Sequence, residues 1–164
     1  MVTEIDFYNL KNSVNNEIRA ISSLKYYGDI DIQPSGHDFN YGITNEENKT
    51  AKVTWNGEAN LNYPATVILP YEYYIDDIGY NIEEIEIVDS NEENINWTFP
   101  NNILTIKFSN ITASSKIIIP EGVIRIEINS STIEGIQIPK SVIGLKITDT
   151  TLNNIYYQGN KYDW

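Results

Sequence analysis

The 164-residue sequence contains no cysteine. Disulfide bridges, zinc knuckles and thiol chemistry are therefore excluded. It contains one histidine, His37, so a mechanism that needs two imidazoles is excluded as well. No apolar run approaches the ~18 residues of a membrane span, and membrane insertion is not expected. The chain has no Gly-rich phosphate loop, no G-x-S-x-G, no H-E-x-x-H and no C-x-x-C. Basic residues are scarce: 11 Lys and Arg stand against 23 Asp and Glu, a net charge of −12. A phosphate backbone is repelled by such a field, so nucleic acid is not an expected partner. The N-terminus, Met1-Val2-Thr3-Glu4-Ile5-Asp6, is acidic and lacks the apolar stretch of a secretory signal. Either the chain works without classical export or a signal has been removed.

What is present is isoleucine, 28 residues against 7 leucines, and asparagine, 21 residues. β-Branched excess of that size favours strands. Hydrophobic residues make up 41% of the chain, enough for a buried core. The charge is unevenly placed. Residues 1–110 carry 18 acids and 6 bases, giving −12; residues 111–164 carry 5 of each, giving zero. From Glu72 to Glu93 there are nine acids and no base. That block is either a solvated face or a contact for a cation or a basic partner. The sequons at Asn48, Asn96, Asn110 and Asn129 are expected by chance in so asparagine-rich a chain.

Residues 6–27 read as one amphipathic helix, with Asp6 to cap it and Gly28 just past its end. Its apolar seam is Phe7, Leu10, Val14, Ile18, Ile21 and Leu24, with Glu17 as one charge in the heptad pattern. Two readings stand: a helix packed on its own domain, or an anchoring and oligomerising helix over 1–28. Residues 29–60 read as loop and hairpin, with a strand at Ala51–Trp55 closed by Asn56-Gly57. His37 and Asp38 lie in a turn-rich loop, where a surface histidine is the expectation.

Residues 61–164 carry an internal repeat. The segments 97–108, 117–128 and 136–147 superimpose, with Pro100, Pro120 and Pro139 spaced 20 and 19 residues apart. A truncated copy starts at Ile155-Tyr156-Tyr157, and an imperfect one lies at 82–87. Each unit has a short strand ending at proline, a turn, a longer alternating strand such as Ile124-x-Ile126-x-Ile128, and a polar corner. Nineteen residues are too few for strand, helix and two connections, so each coil is strand plus extended segment, stacked in parallel on the next. Ile106, Ile126 and Leu145 should share a buried column. The outward Glu86, Lys107, Glu127 and Lys146 should form a ladder of alternating sign about 4.8 Å apart. The fold class expected is mainly β, a short leucine-rich-repeat-like solenoid with an N-terminal α-helix; a plain parallel β-helix is the alternative.

The unit Ile138-Pro139-Lys140-Ser141-Val142-Ile143-Gly144-Leu145-Lys146-Ile147, with Leu152 and Ile155, resembles the repeat of the BspA-like bacterial surface leucine-rich repeats. The ending 155–164, with Tyr157, Gly159 and Trp164, is similar to the tail that closes many such arrays. At the position where many leucine-rich repeats carry asparagine, this chain has Ser90, Ile111, Ser131 and Thr150. The resemblance covers roughly residues 61–164 and implies a non-catalytic adhesion or scaffold module.

Asp76-Asp77 and the segment 89–94 are oxygen-rich, but the second lacks the glycine and closing glutamate of an EF-hand loop. No metal and no cofactor are expected, and no catalytic residue is named. The stretch 70–80 is a tyrosine-rich insertion between repeat-like segments. Tyr71, Tyr73, Tyr74, Asp76, Asp77 and Tyr80 are the candidate contact surface for a protein or a glycan. The function expected is a non-enzymatic structural or assembly protein, homo-oligomeric or part of a larger assembly, with a phage fibre or decoration subunit as the specific expectation. The alternative is a cell-surface adhesion module; either places the chain in a virion or at an extracellular surface.

Overall fold

The computed structural model describes residues 30–32, 39–56, 65–90, 95–160 and 162. The helix expected over 6–27, with its seam from Phe7 to Leu24, lies outside the described residues, as does His37. In chain order the strands are β1 (Ile30–Ile32), β2 (Phe39–Asn45), β3 (Thr50–Asn56), β4 (Ala65–Ile68), β5 (Glu72–Ile75), β6 (Ile78–Val88), β7 (Ile95–Thr98), β8 (Thr105–Ser109), β9 (Thr112–Ile118), β10 (Arg125–Asn129), β11 (Thr132–Ile138), β12 (Gly144–Thr148) and β13 (Thr151–Tyr157). They form a mainly β protein, a β-solenoid of about four turns.

One side of the solenoid is a single sheet in the order β12-β10-β8-β6-β3-β2. Its pairs from β12 to β3 are parallel, and β2 closes it as the antiparallel arm of a hairpin with β3. The opposite side is two parallel sheets, β13-β11-β9 and β7-β4-β1. Residues 39–56 thus share a sheet with the coils, and β1 extends the other side before residue 61. Ile85, Ile106, Ile126 and Leu145 fall in register down the stack. The first three are fully buried; Leu145, in the last strand of that sheet, is half-buried. Glu86, Lys107, Glu127 and Lys146 are likewise in register on the outer face. The close ion pair is diagonal: Lys107 Nζ lies 3.0 Å from Glu84 Oε1. That hydrogen bond is the main cause of a raised Lys107 pKa.

One corner repeats in every coil. Asp89, Asn110, Ser130 and Asp149 all take the left-handed backbone region, with φ of 53°, 53°, 49° and 47°. Asp and Asn accept this conformation more readily than most residues. Their amides continue the ladder around the bend: Asp89 to Ser109 O, Asn110 to Asn129 O and Ser130 to Thr148 O, each 3.0 Å. The next residue carries a hydroxyl with two tasks. Ser131 Oγ donates to Asn129 O at 2.7 Å and accepts from Ile111 N at 3.1 Å. Thr150 Oγ1 donates to Thr148 O at 2.8 Å and accepts from Ser131 N at 3.2 Å. Ile111 interrupts this ladder, and Ser90 Oγ is buried with no hydrogen-bond partner among the described residues. Ser141 repeats the device at the other corner, accepting from Gly122 N at 3.0 Å and donating to Val123 O at 2.8 Å. Gly122 has φ +101°, a conformation that L side chains rarely adopt.

The chain between successive corners shortens along the stack. Pro100 follows Ser90 by ten residues, Pro120 follows Ile111 by nine, and Pro139 follows Ser131 by eight. The end with the longer coils is filled by Trp55, Trp97, Phe99 and Phe108, which meet edge-on or tilted at 6.1–6.4 Å. The end with the shorter coils is filled by isoleucines. Because β6, β8 and β10 keep continuous pairing on one side, the mismatch is taken up on the other. There β9 carries a bulge against β11, and β7 is not paired with β9.

Candidate functional site

The tyrosine-rich stretch is a β-hairpin. β5 pairs antiparallel with the start of β6, Tyr73 opposite Tyr80 and Ile75 opposite Ile78. The two-residue turn is Asp76-Asp77, with φ of 48° and 65°. Two successive positive φ values are the mark of a type I′ turn, whose twist matches that of the strands.

The candidate residues separate by face. Tyr73 stacks on Tyr41, ring centroids 4.3 Å apart and nearly parallel. Burial, then the neighbouring Tyr73, raises the Tyr41 pKa. Tyr80 is buried; its hydroxyl donates to Glu46 Oε2 at 2.8 Å, which raises its pKa. Tyr74 lies against Gly79, where an added Cβ would stand 3.1 Å from its ring. Its hydroxyl donates to Glu72 Oε2 at 2.8 Å, and this bond is the main cause of its raised pKa. Tyr71, Tyr74, Asp76 and Asp77 are exposed; Ile78 is exposed too, but at the turn end of the face that carries Tyr73 and Tyr80. Tyr73 and Tyr80 instead pack the hairpin against Tyr41 and Glu46, which leaves Tyr71, Tyr74, Asp76 and Asp77 as the exposed candidates.

A second surface lies at the far end of the stack. β12 and β13 are the edge strands of their sheets. The residues that continue the core columns there are open. Ile147, in register with Ile128 (1% exposed), is 41% exposed; Ile155, in register with Ile136 (0%), is 50% exposed. Leu145, Leu152 and Tyr157 are only partly covered. The sequence shows these residues as core positions of the repeat. It does not show that nothing among the described residues covers them.

A third feature is the split between β7 and β9, a cleft of about 130 Å³. Ile95, Asn96 and Trp97 line one side, and Ser115, Lys116, Ile117 and Ile118 the other. Among the described residues, no three His, Cys, Asp or Glu side chains converge as a metal site.

No family model matches this sequence, and neither a curated protein nor a solved structure matches it.

Proposed function

We propose that this chain is a non-enzymatic assembly and interaction protein. The observation that carries the reading is the open end of the stack, where, among the described residues, core positions stand exposed beside two unpaired strand edges. Such an end is a template for pairing with another chain, and contiguous exposed apolar surface is the mark of an interaction site. The specific setting proposed is a fibre or decoration subunit of a phage virion, for which the short isoleucine-rich coil is a compact structural unit. Finding the chain at stoichiometric level in purified particles, by mass spectrometry, is the expected result. Its absence from particles, with the chain free in the lysate, would overturn that setting.

The exposed hairpin favours a second reading, an adhesion module that binds a protein or glycan through Tyr71 and Tyr74. The full chain applied to a glycan array should then bind, and Tyr71→Ala with Tyr74→Ala should abolish binding. A blank array would remove the glycan form of this reading.

A further inference from the structure

We infer that the β12/β13 end of the solenoid is the self-association face, and that its occupant is a second copy of this chain related by a two-fold axis. The inference rests on the assembly reading above and names its partner. Three observations choose a second copy. The end presents two strand edges at once, five residues of β12 and seven of β13, on opposite sides of one core. Another copy of the same end presents two edges at the same separation, so both can pair together, as an isologous contact requires.

The charge distribution points the same way. Among the described residues, those of 39–110 carry nine acids and three bases, giving −6, and those of 111–160 carry four of each, giving zero. Joining two copies through their β12/β13 ends brings coils of zero net charge together and keeps the acidic strands β5 and β6 apart. Finally, the edges are open to pairing on their core-facing side, the one charge on β12, Lys146, standing on its outer face. There is no proline in β12 or β13, and no charged residue among the open core positions Leu145, Ile147, Leu152, Ile155 and Tyr157.

A two-fold axis perpendicular to the sheets makes both new pairings antiparallel. Charge then chooses the register on β12. Centring the axis on Lys146 would set it against the partner's Lys146, an unfavourable like-charge pair. Centring it on Leu145 sets Gly144 opposite the partner's Lys146 and Leu145 opposite the partner's Leu145. The same device occurs within the sheet: a Cβ added at Gly144 would stand 3.8 Å from the Arg125 side chain, and one at Gly42 3.3 Å from that of Lys52. Ile147 and Ile155, exposed in the single chain, would enter a continuous core.

The test is sedimentation velocity of the full chain, with single variants Ile147→Lys and Ile155→Lys. A dimer is expected for the natural chain and a monomer for each variant, with circular dichroism unchanged. Because the chain has no cysteine, Leu145→Cys gives a second readout. It should form a covalent dimer on mild oxidation, whereas Asn40→Cys, on the opposite edge strand, should not. Leu145→Cys also keeps the inference testable if a lysine variant fails to fold. An oligomer that survives both lysine variants, or one cross-linked through Asn40→Cys, would overturn this face while leaving the assembly reading in place. A monomer at every concentration that is nonetheless found in particles would overturn the self-association and keep that reading. A monomer absent from particles would remove both.

Discussion

Removing one hydroxyl at the repeated corner should distinguish a designed hydrogen-bond ladder from incidental polar packing. Ser131 is 4% exposed. Its Oγ accepts the Ile111 amide at 3.1 Å and donates to the Asn129 carbonyl at 2.7 Å. In Ser131→Ala the carbonyl keeps the Asn110 amide at 3.0 Å, so it remains paired. The Ile111 amide has no replacement, and Ile111 is itself 1% exposed. An unpaired buried donor costs about 1–3 kcal/mol. At this chain length each kcal/mol lowers Tm by about 2–4 °C. Thr150→Val removes the equivalent bond to Ser131 N at a half-buried site and should cost about 0.5–1.5 kcal/mol. Ser90→Ala is the internal control. Its Oγ is buried with no partner among the described residues, so the change should leave stability unchanged or raise it by up to about 1 kcal/mol. Urea denaturation of the three variants gives the order, and amide exchange at Ile111 should accelerate in Ser131→Ala alone. If Ser90→Ala loses as much as Ser131→Ala, or if Ser131→Ala loses under about 0.5 kcal/mol, the ladder does not stabilise the corner.

Other expectations follow from the same geometry. Ile126→Ala, at a site with 0% exposure, should cost about 2–5 kcal/mol, while Ile147→Ala in the single chain should cost under about 1 kcal/mol; equal losses in denaturant melts would place both in one closed core. Replacing Asp76-Asp77 by Asn-Gly suits the observed type I′ turn and should raise stability by about 0.5–1 kcal/mol; a fall in Tm would show another turn. Gly122→Ala forces a side chain into φ +101° and should cost about 1–3 kcal/mol, read from the same melts. Lys107 has a raised folded-state pKa because it bonds Glu84. Its contribution is therefore fully present below the unfolded value near 10.5 and lost as pH rises through the folded one. Lys107→Met should flatten that alkaline loss by no more than about 1 kcal/mol, since the pair is partly exposed; an unchanged alkaline profile would exclude the pair as its source.

The stacked coils were legible in the sequence because the information is periodic. Prolines at 100, 120 and 139 and alternating isoleucines between them leave one way to bury a single apolar face at a 19–20-residue period. That pattern set the Ile106–Ile126–Leu145 register and the outward Glu86–Lys107–Glu127–Lys146 ladder. It also located the corner hydroxyls, but not their work, since a hydroxyl at Ser131 says nothing of which amide it meets one coil away. The hairpin at 72–81 shows the same limit. Composition marked six residues as a surface, yet pairing across β5 and β6 turns Tyr73 and Tyr80 inward onto Tyr41 and Glu46. Faces are assigned by strand pairing, and a cluster of tyrosines has no face until it is paired. The diagonal Lys107–Glu84 bond depended on side-chain reach across neighbouring strands. The split between β7 and β9 depended on Trp97 and Phe99 standing where later coils place isoleucine, a mismatch of volume that one sheet absorbs because the opposite sheet is continuous. The open end had the same origin. Ile147 and Ile155 read as core residues by period, and only the position of β12 and β13 as the last strands of their sheets leaves them exposed, because burial in a solenoid is supplied by the next coil rather than by the residue's own.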